Sequence, residues 1–168
     1  MQLVKGGEVA KDRFKHVADD AAIPAECAIL IRAERFLADP DTFLKRGSIG
    51  VIWPNNWNVS DLVPYLDRLD MIALVFPTFK DGRAYSQARL LRERHGFKGE
   101  LRATGQVLRD QFLFMLRAGF DAFEVKKKSD SEVFAKVAKR YSVFYQPTGD
   151  GRITAFRRRL LSHQSANR

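Results

Sequence analysis

Phe79-Lys80-Asp81-Gly82-Arg83 is the densest chemistry-bearing run in this sequence: two cations flank a carboxylate and a glycine where an apolar run gives way to helical periodicity. Unpaired N–H groups at a helix start, with Lys80 and Arg83 beside them, suit a small oxyanion such as sulfite, sulfate or phosphate. Asp81 is the candidate acid or base in the same run. These residues also make an ordinary helix entrance, with Asp81 as cap and Gly82 turning the chain. Thr104-Gly105 stands at a second predicted helix start and adds a hydroxyl and an unobstructed amide to the anion-binding set. Arg102 and Glu124 fall inside two otherwise apolar runs. A lone charge there would be very costly, so the two are expected to pair. Arg102 thereby joins the candidate anion ligands, and Glu124 joins Asp81 as a candidate catalytic carboxylate. Trp53 and Trp57 bracket a Pro-Asn-Asn turn, which serves either as a partner surface or as a cover for the core.

These residues need elements to hold them. Apolar runs at 28–31, 48–53, 71–76, 100–104 and 120–125 read as strands, with helical stretches at 39–45, from 81 or 82 to 95, at 106–118 and at 130–139. A short helix follows Ser60-Asp61, and 141–145 reads as a last strand. The five main strand starts recur 20 to 29 residues apart, the period of βα units joined by right-handed crossovers. The expected fold is a single α/β domain with an open parallel sheet, either flavodoxin-like or a half-barrel. A closed eight-stranded barrel typically needs about 250 residues, and the chain has 168. A half-barrel's free edge favours a homodimer. By this reading 1–27 is an N-terminal segment with a small hairpin at 2–5 and 7–10, 28–150 is the α/β domain, and 151–168 is a basic tail.

In parallel α/β folds ligands sit at the carboxyl ends of strands. That rule directs attention to 54–57, 78–83, 104–106 and 126–131, the last opening with the basic run 126–128.

Charge and motif content exclude several classes. The chain holds 29 basic and 20 acidic residues, a net +9. Five of those basic residues lie in 151–168, which has no acid, so the first 150 residues are nearly balanced. A basic end segment is ordinary for a solvated terminus, and nucleic-acid binding is not the expected role. Neither a Walker phosphate loop nor a GxGxxG turn is present, so no nucleotide cofactor is expected. His16, His95 and His163 lack ligand-like spacing, and no metal site is expected. The only cysteine, Cys27, excludes an intrachain disulfide and reads as a small buried apolar residue. The apolar runs are too short to span a bilayer, and the N-terminal residues lack a secretory h-region; a cytoplasmic protein is expected.

The stretch 76–125 resembles a bacterial family of unknown function whose members are often labelled oxidoreductases involved in sulfite reduction. The resemblance rests on Phe79-Lys80-Asp81-Gly82-Arg83 with Ser86, Arg89-Leu90-Leu91-Arg92, 99–105, Leu108-Arg109-Asp110-Gln111 and Gly119-Phe120-Asp121. It extends over most of 25–147. It implies an accessory role in assimilatory sulfite reduction, with sulfite reductase or its assembly machinery as partner. Redox chemistry would then draw on a partner's cofactor. A small α/β enzyme acting on a phosphorylated or sulfur-containing metabolite is the alternative.

Overall fold

Met71, Ile72, Ala73 and Leu74 are all fully buried, as an apolar run must be when both faces of its strand are covered. They lie near the middle of an eight-stranded sheet. In the computed structural model, which describes residues 2–24, 27–126, 129–139, 143–148 and 153–166, the strands are β1 (Gln2–Lys5), β2 (Glu8–Ala10), β3 (Phe14–His16), β4 (Ala28–Arg32), β5 (Ile49–Trp53), β6 (Met71–Phe76), β7 (Glu100–Gly105) and β8 (Ala122–Val125). The helices are α1 (Ala33–Ala38), α2 (Pro40–Leu44), α3 (Arg83–Arg89), α4 (Phe112–Ala118), α5 (Ser129–Lys139) and α6 (Ala155–Ala166), with a 3-10 helix at Val59–Arg68 between β5 and β6. Among the described residues, no helix is long and apolar enough to cross a membrane.

The sheet order is β2-β1-β8-β7-β6-β5-β4-β3, and β3 to β8 run parallel to their neighbours. Each parallel strand therefore sits beside its predecessor. Right-handed crossovers taken always in one direction place the connecting helices on one face. That is a singly wound half-barrel, and it separates the two architectures left open above: a flavodoxin-like sheet would reverse direction and carry helices on both faces. The helix-covered face holds the large core cluster, including Ile31, Val51, Leu74, Ala103 and Phe123 with Phe36, Leu91 and Phe112 from the helical layer. The inner face carries a smaller cluster of Phe14, Leu30, Met71 and Ala73.

Connectivity forces the curl. Only residues 11–13 join β2 at one edge of the sheet to β3 at the other, a link that spans at most about 14 Å. A flat sheet of this size would separate its edges by about 33 Å. The Arg102 guanidinium on β7 correspondingly lies 5.7 Å from the Phe14 ring on β3.

The N-terminal hairpin forms as expected, Leu3 facing Ala10 in an antiparallel pair. Gly6 and Gly7 both have positive φ, the backbone of the tight turns that match strand twist. The same segment also contributes β3, and β1 pairs antiparallel with β8, so β1, β2 and β3 of the N-terminal segment belong to the sheet and the sheet is mostly rather than wholly parallel. α1 occupies a stretch with no strong helical signal. The helix expected from 81 or 82 to 95 is α3 continued by a π-helical turn at Leu90–Arg94. The helix expected from 106 begins only with a 3-10 turn at Arg109–Gln111. The strand expected at 141–145 falls partly outside the described residues, as do parts of the basic run 126–128 and of the tail. Phe144 makes an isolated parallel bridge to Thr154, and α6 follows.

Candidate functional site

The Asp81 carboxylate accepts from the Arg83 Nη2 at 2.6 Å, the Arg83 Nε at 3.0 Å and the Arg83 backbone N–H at 3.2 Å. The Arg83 side chain, together with the Asn55 amide, holds the Asp81 carboxyl far below the usual carboxylate range. Such a group stays ionised and cannot serve as a general acid near neutrality. Arg83 is correspondingly engaged with Asp81, and Gly82 is the turn residue ahead of α3. Lys80 lies 5.7 Å from the centroid of the Phe79 ring. With Arg83 offset by Asp81, Lys80 supplies the loop's remaining positive charge.

The neighbouring strand-end loop braces this one. The Phe79 backbone N–H donates to the Gln106 Oε1 at 3.1 Å, and the Gln111 Nε2 donates to the Phe79 carbonyl at 3.2 Å. Phe79 nonetheless remains 50% exposed. Gln106 also donates its backbone N–H to the Phe76 carbonyl, which keeps it out of a helix. Thr104 and Gly105 consequently end β7 instead of opening a helix. Gly105 has φ +91°, and a Cβ there would run into the Phe76 carbonyl oxygen.

Arg102 is 1% exposed and surrounded by carboxylates. Its Nη1 and Nη2 donate to Asp12 at 2.6 and 2.9 Å, its Nε to Glu100 at 3.0 Å, and its Nη1 also to Glu124 at 3.3 Å. Thr104 Oγ1 donates to the other Glu124 oxygen at 2.6 Å, and Lys5 Nζ to Glu100 at 2.9 Å. Burial works against the Arg102 charge, but the Asp12 hydrogen bond and the Glu100 and Asp12 charges outweigh it and hold the group above its usual range. The expected Arg102–Glu124 pair exists within a larger cluster. Arg102 thus gives its donors to carboxylates of the cluster, and the Thr104 hydroxyl donates to Glu124, so both expected anion ligands are engaged with internal partners.

A cavity of about 460 Å³ opens beside this cluster on the inner face, with Leu30, Ile52 and Ala73 among its apolar walls and Asp12, Thr104 and Glu124 among its polar groups. Asp81 does not line it. The two candidate catalytic carboxylates thus occupy different environments: Asp81 in the strand-end loop, Glu124 on the inner face.

Trp53 is fully buried and meets Trp57 edge-on, ring centroids 5.4 Å apart. It covers the core and is not available to a partner. Trp57 is half-buried, and its loop is tied down by Gln87 Nε2, which donates to the Pro54 and Trp57 carbonyls at 2.9 Å each. Cys27 is exposed rather than buried, because it precedes β4 instead of entering it.

Residue type alone assigns no role to Arg92, Asp12, Phe79 or Gln106. Arg92 sits in the π-helical turn and donates to the Phe97, Gly99 and Gly119 carbonyls at 2.6, 2.9 and 3.0 Å, and to Asp121. Asp121 in turn accepts the Leu101 backbone N–H at 2.8 Å. The Arg89-Leu90-Leu91-Arg92 and Gly119-Phe120-Asp121 motifs therefore meet in space as a staple between α3, β7 and the approach to β8.

This sheet order, with a braced strand-end rim and a pocketed inner face, defines a singly wound α/β half-barrel. Residues 50–156 match a family described as bacterial protein of unknown function (DUF934). The match spans more than half of the chain, and the chain belongs to that family. It runs past 147, where the resemblance in sequence stopped, into the first turn of α6. No curated protein matches the sequence.

Proposed function

We propose that the protein is a non-catalytic accessory component of assimilatory sulfite reduction, docking on the reductase or its assembly machinery through the strand-end rim. The observation that carries the docking role is Phe79, an aromatic side chain half in solvent whose backbone is nonetheless held at both N–H and carbonyl by the adjoining loop. A large exposed ring on a backbone that is already held has less main-chain freedom to lose on docking, which favours an interface anchor. Leu108, 39% exposed, lies on the bracing loop, and Lys80 offers a positive charge for an oxyanion or an acidic partner. The link to sulfite reduction is supported by the resemblance of 76–125. Against an enzymatic role stands the pairing of the rim's charges: Asp81 is locked as a carboxylate by Arg83.

Deleting the gene is expected to impair growth on sulfate or sulfite, with cysteine restoring it. Phe79→Ser should fail to complement that strain and should not co-elute with purified sulfite reductase, while unfolding at the wild-type temperature. Normal growth of the deletion strain on every sulfur source would overturn the proposal.

A further inference from the structure

We infer that the inner-face cavity is a binding site for a small organic cation, an ammonium group carried on an apolar body. At about 460 Å³ it falls within the range of small-molecule pockets, about 300 to 1,000 Å³. Its placement follows the strand-end rule. Ile52, Thr104 and Glu124 are the penultimate residues of β5, β7 and β8, and His16 is the last of β3. Aliphatic walls from Leu30, Ile52 and Ala73 would take the apolar body.

The sign of the charge selects the head group. Among the described residues, two carboxylates, Asp12 and Glu124, and one imidazole, His16, line the cavity, and no Lys or Arg does. Arg102 already gives its guanidinium to three acids. Counting Lys5 with it, the cluster of Asp12, Glu100, Glu124, Arg102 and Lys5 carries one net negative charge. An anion would be repelled there, whereas an ammonium gains charge-assisted hydrogen bonds. The inference concerns the inner face and stands independently of the docking role of the rim.

The test is a titration of the ¹⁵N-labelled full chain with benzylamine, and in parallel with benzoate, at neutral pH. Benzylamine is expected to give saturable amide shifts at Ala73, Thr104 and Glu124, and benzoate none. Glu124→Gln, which keeps the shape and removes the charge, should weaken benzylamine about tenfold, as loss of a charge-assisted contact predicts. Val9→Trp, at a cavity-lining position that is 50% exposed, should block the shifts without disturbing the core, and provides the test if Glu124→Gln does not fold. Equal binding of benzoate, unaltered affinity in both variants, or no saturable shift at the cavity would overturn the assignment.

Discussion

The Asp12 carboxylate grips both terminal nitrogens of Arg102, at 2.6 and 2.9 Å, from the short link that joins opposite edges of the sheet. One ion pair thereby ties the link to the interior of a central strand. The bidentate geometry is strong and directional, and Arg102 is buried enough that its charge must be answered. The short link brings Asp12 across to β7, and the tie holds Asp12 and Glu124 on the same guanidinium beside the inner-face cavity.

Arg102→Leu removes the cation and leaves Asp12, Glu100 and Glu124 facing one another. Removing one side of a buried pair costs about 3 to 5 kcal/mol. Urea denaturation should show a loss of that size, whereas Asp12→Asn, which keeps a hydrogen-bonding group opposite the guanidinium, should lose about 1 to 2 kcal/mol. Equal and small losses in both variants would mean that the tie does not support the fold.

The acid limb of stability should report the same contact. Burial of Asp12 resists its charge, but the Arg102 hydrogen bond, the Phe14 N–H and the guanidinium charge outweigh it, so its pKa lies below the ordinary 3.8. A depressed carboxyl contributes stability that is complete above its unfolded pKa and is lost as pH falls through the folded value. Wild-type stability is therefore expected to decline below about pH 4. In Asp12→Asn that decline should be shallower in a series of denaturation curves. Asp81, depressed by Arg83 and Asn55, leaves a residual slope in the variant.

The central strands were legible because each is an uninterrupted apolar run, and their order followed from the repeating βα period. β3 is three residues long, too short for any periodicity, and the parallel edge it makes was invisible. The Arg102–Glu124 pair could be anticipated because both charges interrupt apolar runs. Asp12, 90 residues from Arg102, carries no local mark of its role. Thr104-Gly105 looked like a helix start because a helical pattern follows, but the left-handed backbone of Gly105 and the use of Gln106 to brace Phe79 delay the helix. Trp53 was ambiguous because its type suits both a core and an interface; strand alternation places it on the helix-covered face.

Arg92 offers a prediction in which charge and shape separate. Its planar fork donates to three carbonyls and to Asp121, and it is largely shielded from solvent. Arg92→Ala removes a donor from all three carbonyls and leaves Asp121 with the Leu101 N–H alone, and is expected to cost about 3 kcal/mol or more. Arg92→Lys keeps the charge but cannot reach divergent acceptors at once, so thermal unfolding should place it nearer to Arg92→Ala than to wild type. Recovery of wild-type stability by Lys would show that the charge alone matters.

Gly105 isolates the backbone's share in the strand-end rim. Its φ of +91° is one that side chains other than glycine rarely adopt, and the Phe76 carbonyl oxygen stands where a Cβ would go. Gly105→Ala therefore incurs both backbone strain and a clash with main chain that no rotamer change relieves. A loss of about 2 to 4 kcal/mol is expected in denaturation. Because Gln106 follows directly and holds Phe79, the shift should also loosen the rim. Amide exchange at Phe79 should accelerate in Gly105→Ala by more than the global loss of stability explains. An exchange rate that changes only in step with global unfolding would show that Gly105 supports the fold without positioning Phe79.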